Sequence, residues 1–241
     1  MEKKNRVAIM QPYFLPYIGY WQLMFNVDTF VVYDDIEYTK KGWINKNRFL
    51  LNGQPEVFTL PLKKDSDFIN ISKRQLIDQF ELEKQKLFRR WQAAYIKAPY
   101  FESTMHIIEM AMSSKSTNLF EFIFHSIGII RDYLHIDSKV FISSQLEIDR
   151  ELKGQKKVIN ICGALGATDY VNPIGGVALY SESAFRAAGI TLHFQQVRPI
   201  SYPQYDKSFV PNLSILDMLM FCGCEHTRNL LAEMDLDEPS D

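Results

Sequence analysis

RVAIMQPYFLPYIGY, from Arg6 to Tyr20, opens with an apolar run, Val7–Met10, that stops at Gln11-Pro12. Pro16 follows, and Tyr17-Ile18-Gly19-Tyr20 opens a helix over Tyr17–Asn26. Val7–Gln11 reads as a buried strand, and Thr29–Tyr33 as a second one ending in Asp34-Asp35. Two short apolar strands joined by a helix form a βαβ unit, which calls for a parallel sheet covered on both faces. A strand that breaks on proline and feeds a helix is a common way for an α/β fold to place a ligand at the strand's carboxyl end. The sequence therefore predicts an α/β fold: a mostly parallel sheet, helices on both faces and a helical cap or insertion over residues 82–135.

The remaining pattern extends this reading. Asn52-Gly53 separates Arg48–Leu51 from Val57–Leu62 and signals a hairpin. Helices are expected over Leu82–Lys97, Thr104–Met112, Leu119–Leu134, Gly154–Leu165 and Glu182–Ala188. Leu213–Phe221 and Thr227–Met234 read as two closing helices, and the acidic tail Asp235–Asp241 as frayed. Val140–Ser143, Tyr170-Val171 and Ile190–Gln196 complete the strands. With 241 residues and no clear linker, a single domain over 1–241 is expected.

Composition narrows the function classes. A net charge of −2 gives no electrostatic case for non-specific nucleic-acid binding. No apolar run is long enough to span a bilayer, and MEKKNR precedes too short an apolar stretch for a signal peptide. Three cysteines, Cys162, Cys222 and Cys224, do not make a disulfide scaffold. A cytoplasmic, reduced protein is expected. Cys222-Gly223-Cys224 with His226 lacks a fourth ligand at zinc spacing, so no metal site is assigned there.

Three clusters are candidates for the site. In the first, Gln11, Pro12, Tyr17, Gly19 and Tyr20 flank the end of the first strand, where Gln11 can read a ligand amide or hydroxyl and the helix start offers free N–H groups. The second is Asp34-Asp35, Tyr38, Lys40, Lys41, Trp43, Asn45, Lys46, Asn47 and Arg48. Paired carboxylates there suit a general base or a metal; the cations suit phosphate; Trp43 suits a stacked ring. The third, Asn172-Pro173-Ile174-Gly175-Gly176, lets backbone approach a ligand, at a spacing that is neither a Walker loop nor a dinucleotide fingerprint. Each has a plain structural alternative: core tyrosines, a solvated turn, a strand-to-helix connection. Tyr202, Gln204, Tyr205 and Phe209 form a polar aromatic loop, either a lid or a surface connection. His193, alternating with Gln195, either faces the site or is an ordinary strand histidine.

Taken in order, QPYFLPYIGYWQLM at 11–24, DTFVVYDDIEYTKKGWINKNR at 28–48, TLPL at 59–62, APYF at 98–101, LGATDYVNPIGG at 165–176 and FVPNLSILDMLMFCG at 209–223 resemble the WbqC-like family. Lys46 stands where members often carry arginine, which keeps the charge but not a bidentate contact. The resemblance implies bacterial surface-polysaccharide (O-antigen) biosynthesis: transfer of an aminoacyl (glycyl) or other acyl group to the amine of a nucleotide-linked amino-sugar. In this reading Asp34, Asp35 and Lys41 are catalytic candidates. Gln11, Pro12, Tyr17, Tyr20, Tyr38, Trp43, Asn45, Arg48, Asn172, Gly175 and Gly176 bind substrate. The partners are the sugar nucleotide and a small amino-acid or acyl donor, with an aminoacyl-tRNA donor left open.

Tyr17-Ile18-Gly19-Tyr20 is also similar in placement to the His-x-Gly-His signature of nucleotidyltransferase-like enzymes, with both histidines replaced by tyrosine. An adenylating enzyme using ATP and a divalent metal near Asp34-Asp35 is therefore one alternative. A non-catalytic sugar-nucleotide binding protein is the other. Arg48→Ala and Asp35→Asn are both expected to abolish activity while leaving the melting temperature within a few degrees.

Overall fold

The computed structural model describes residues 4–66, 68–206 and 208–237. The first three residues of MEKKNR and the last four of the acidic tail lie outside the described residues. The apolar runs form the strands β1 (Arg6–Met10), β2 (Thr29–Val32), β5 (Lys139–Ile142), β6 (Asp169–Pro173) and β7 (Thr191–Val197). These pair in parallel in the order β5-β2-β1-β6-β7, and β8 (Met234–Asp237) adds an antiparallel edge beside β7. Parallel strands need crossovers, and helices supply them. α1 (Ile18–Phe25) links β1 to β2; α5 (Gly154–Ala164) precedes β6; α6 (Glu182–Ala187) precedes β7.

Alternation along the strands sorts the core into two layers. Val7, Ile9, Val31, Tyr170 and Leu192 pack on one face against α5 and α6, through Val158, Ile161 and Phe185. Ala8, Phe30, Val32 and Val171 face the other way, against α1 and α7 (Ile215–Leu230). The protein is thus an α/β fold whose mostly parallel six-stranded sheet carries helices on both faces.

A separate hairpin, β3 (Lys46–Leu51) and β4 (Gln54–Thr59), turns through Asn52 and Gly53 at φ 50° and 73°. Positive φ at both central residues is what a type I′ two-residue hairpin turn requires. α2 (Phe80–Tyr95), α3 (Phe101–Ala111) and α4 (Leu119–Tyr133) lie between β4 and β5 in the chain and share the hydrophobic cluster of α1 and α7. Among the described residues no helix is long and apolar enough to cross a membrane.

At the C-terminus one expectation holds and one is corrected. The two closing helices are the two halves of α7, Ile215–Leu230, which meet at a kink at Gly223, whose φ 67° and ψ −172° are open to glycine alone; the second half ends at Leu230 rather than Met234. Met234–Asp237 is not frayed but pairs with Phe194–Val197. Its polar side chains are held there: Arg198 Nε donates to Asp235 Oδ2 at 2.9 Å, and Leu236 packs on the core.

Candidate functional site

The chain leaves β1 toward β2 on one side and returns beyond it as β6 on the other, so the strand order reverses between β1 and β6. At such a point the connections diverge and leave a crevice outside the carboxyl ends. A cavity of about 670 Å³ opens there, lined by Tyr17, Gly175, Gln195, Arg198, Tyr202 and Asn212 among others. A second, of about 340 Å³, adjoins it and is lined by Tyr13, Pro16, Tyr17, Trp43, Asn47, Arg48 and Asn212. Tyr17 and Asn212 line both.

The wall between the two cavities is held by contacts between distant segments. Leu15 takes φ 44°, an unusual conformation for a branched residue. Its carbonyl accepts from Asn47 Nδ2 at 2.8 Å and Ser214 Oγ at 2.7 Å, which fixes the strained backbone. The Pro16 carbonyl accepts from Trp21 Nε1 at 3.1 Å and the Ile215 N–H at 3.0 Å. The Phe14 N–H donates to Ile44 O, and the Ser214 N–H to Arg48 O, both at 2.8 Å. Residues 14–16, 44–48 and 214–215 are thereby tied together. Gly19 meets a steric demand. A Cβ there would overlap the Tyr17 ring and hydroxyl, so glycine lets that phenol lie against α1. Burial pushes the Tyr17 phenol above its ordinary pKa, so it stays protonated at neutral pH.

The smaller cavity carries a cationic aromatic shelf. Trp43 is 44% exposed, with Lys46 Nζ and Arg48 Cζ over its ring at 5.6 and 5.4 Å from the centroid. Arg48 Nη2 donates to Asn212 O at 3.0 Å, while its buried Nε has no hydrogen-bond partner among the described residues. A planar guanidinium beside an exposed indole suits a phosphate next to a flat ring.

The larger cavity is closed by the loop after β7, and the anchor of that loop is Asp217, fully buried in the first turn of α7. Tyr95 and Tyr202 hydroxyls donate to its two oxygens at 2.7 Å, and Gln204 Nε2 donates at 2.9 Å. The Gln204 amide also bonds both ways with the Val210 backbone. Burial pushes the Asp217 carboxyl up, against these three donors. Asp217 holds Tyr202 in the cavity wall. It is the single carboxylate in the apolar run Leu213–Phe221, and that was its signal in the sequence.

Other residues singled out in the sequence lie elsewhere. Gln11 accepts from the Tyr13 hydroxyl at 3.2 Å, and Pro12 is buried beside it. Tyr20 is in the core, its ring 5.2 Å from Phe30. Tyr38 donates to Asn45 Oδ1 at 2.8 Å and Asn45 Nδ2 donates to Leu60 O at 2.7 Å, so both hold the start of the hairpin. Lys41 is exposed and lines neither cavity. Asn172 Nδ2 donates to Pro173 O at 3.0 Å and its Oδ1 accepts from Tyr170; a Cβ on Gly176 would collide with it. Gly175 alone of the three lines the larger cavity. Of the other pair, Gln195 lines that cavity and donates to Gly19 O at 3.0 Å, whereas His193 Nε2 pairs with Asp169 Oδ1 at 2.7 Å.

The Asp34-Asp35 pair splits. Asp35 meets Lys157 Nζ at 2.7 Å and Arg150 Nη1 at 3.0 Å, and accepts from Ser143. Burial disfavours its charge, but the hydrogen bonds from Lys157 and Ser143 and the two cations outweigh that and hold its carboxyl below the usual carboxylate range. A general base would need the opposite shift. Asp34 points to a third cavity, away from both. Among the described residues no three His, Cys, Asp or Glu side chains are grouped to hold a metal ion, and Asp35 is already neutralised by its two cations. Cys222 is buried, and Cys224 Sγ donates to Tyr133 O at 2.9 Å.

The motifs that build this wall match a family description. Residues 11–229, from the end of β1 to the last helix, match the WbqC-like protein family. The chain belongs to the WbqC-like protein family. It is 30% identical over 225 residues to the uncharacterized protein Rv1507c of Mycobacterium tuberculosis, covering 92% of this chain and 95% of that one. No solved structure matches the chain. The WbqC-like match thus takes in all three stretches that form the two cavities: the β1–α1 connection, the start of the hairpin, and the loop into α7.

Proposed function

We propose that this WbqC-like protein is a transferase of bacterial surface-polysaccharide assembly, which moves a glycyl or other acyl group onto the amine of a nucleotide-linked amino-sugar. The observation that carries the reading is the pair of adjoining cavities sharing Tyr17 and Asn212 at the switch point. Such a substrate has a planar base, a diphosphate and a hydroxylated sugar. Trp43 suits the base, Arg48 the phosphates, and the larger cavity the sugar and acyl donor. In the reaction the neutral sugar amine attacks the acyl carbon. A C–N bond forms, the bond to the donor's leaving group breaks, and the amine's extra proton passes to solvent or to that leaving group. In this reading the protonated Tyr17 phenol at the junction donates to the acyl oxygen as it gains charge.

Calorimetric titration with UDP and a UDP-linked 4-amino-sugar tests this. Arg48→Ala is expected to weaken UDP binding by about 10- to 100-fold, the value of a charge-assisted hydrogen bond. Trp43→Ala should weaken it by about 3- to 10-fold. Both side chains are at least partly exposed, so the melting temperature should hold within a few degrees. Absence of binding by any nucleoside diphosphate would sink the proposal. Binding without turnover, with glycine plus ATP or with glycyl-tRNA as donor, would identify a sugar-nucleotide binding protein instead.

A further inference from the structure

We propose that the groove between α4 and the carboxyl ends of β2 and β5 binds a small ligand bearing an ammonium group on an apolar or aromatic body. This groove, about 590 Å³, is separate from the two cavities above and shares no lining residue with them. Its charged floor is Asp34, only 2% exposed. Oδ1 of Asp34 accepts from the Ser144 N–H at 2.9 Å and lies 2.9 Å from the Ser143 hydroxyl, whose single proton it shares with Asp35. Among the described residues Oδ2 receives no hydrogen bond and no cation pairs with Asp34. A buried carboxylate is rarely left without a counter-charge. Its neighbour Asp35 has two.

The rest of the groove fits the same ligand. Glu121 stands on its rim with Asp132, which is paired to Arg131 at 2.7 Å; neither lysine nor arginine lines the groove itself, and His125 is its only basic group among the described residues. Phe120 and Phe124 stack at 5.5 Å and form an aromatic wall, suited to an apolar body and to the ammonium itself.

Gly128 is an independent pointer. It sits inside α4, facing the groove, with open space where a Cβ would go and an ordinary helical φ. Glycine is among the poorest helix formers, and nothing in the packing of this fold requires it there. Its effect is to widen the groove. A helix that gives up stability for room next to an unpaired carboxylate is shaped for an occupant.

Benzylammonium chloride is the probe, titrated into the full chain by calorimetry, with benzyl alcohol as its neutral counterpart. Benzylammonium should bind saturably and benzyl alcohol at least 10-fold more weakly. Asp34→Asn keeps the acceptor for Ser144 but loses the charge, and should weaken benzylammonium at least 10-fold. Gly128→Ala should raise the melting temperature by about 2–4 °C, as helix propensity dictates, yet weaken benzylammonium at least fivefold. If Asp34→Asn does not fold, Gly128→Ala decides alone. Absence of saturable binding, equal binding of the alcohol, or unchanged binding in either folded variant overturns the proposal.

Discussion

Replacing Asp35 by asparagine is expected to lower the unfolding free energy by about 3 kcal/mol, because it strands a buried cation. The Lys157 side chain is 8% exposed and Asp35 13%, and their ion pair at 2.7 Å is the shorter of Asp35's two. Exposed pairs contribute little, but removing one partner of a buried pair leaves the other's desolvation uncompensated. Lys157 Nζ keeps a weak contact to the Asp35 carbonyl at 3.3 Å and the face of Tyr33 at 5.1 Å, which neutralise nothing. Urea unfolding at pH 7 measures the loss.

The pH dependence has a definite sign. The Asp35 carboxyl is lowered in the folded state, so its stabilisation is complete above the unfolded value of about 3.9. It is lost as pH falls through the folded value. The gap between wild type and variant should therefore shrink on acidification below about pH 4. A loss under about 1 kcal/mol at pH 7 would mean that the carboxylate is solvated and free for chemistry, as the sequence suggested. The two substitutions that the sequence treats alike thus separate: Arg48→Ala should leave stability nearly unchanged, and Asp35→Asn should lower it.

Gly223→Ala is expected to be as damaging, for a steric reason. The backbone at φ 67° and ψ −172° lies where only glycine is comfortable, and a Cβ there would come within 2.7 Å of the Tyr100 ring. Strain of about 1–3 kcal/mol from the backbone adds to a similar cost of overlap. Together, at about 4 kcal/mol, they correspond to a fall in melting temperature of roughly 8–16 °C for a chain of this size. Tyr100 is anchored by its N–H to Met220 O at 3.1 Å, so it does not simply swing away with its backbone. Adding Tyr100→Ala to the variant should recover the overlap cost but not the backbone cost. A melting point within about 2 °C of wild type for Gly223→Ala alone would show that the break in α7 repairs itself as regular helix.

The parts of the fold that were legible share a cause. β1, β2 and the hairpin turn are announced locally, by apolar runs cut at Pro12 and by Asn52-Gly53, and they need no distant partner to be recognised. β8 escapes a sequence reading because Met234–Asp237 carries two carboxylates in four residues; its strand character comes from β7 and from Arg198, which the local pattern does not contain. The break at Gly223 is legible as the gap between two expected helices; its contact with Tyr100, from outside α7, is not.

The same division runs through the site. Tyr17, Trp43, Arg48 and Gly175 are conspicuous by residue type and line the two cavities. Asn212, Gln195 and Arg198 are ordinary residues in their own surroundings, and only the tertiary fold brings them there. Tyr38, Asn45, Asn172 and Gly176 look equally functional in the sequence. They instead satisfy backbone groups or make room for one another, as polar and small residues do wherever loops are buried.

The left-handed turn at Leu15 has a consequence for synthesis on the ribosome. Its two hydrogen-bond donors come from residues 32 and 199 positions further along the chain. No amino-terminal fragment that stops short of the second donor, however well its first strands pair, holds both clamps. A growing polypeptide therefore acquires its pair of cavities only after Ser214 has cleared the exit tunnel, and proteolytic trimming from the carboxyl end past that serine would remove α7 and β8 as well, and with them the cover of one sheet face.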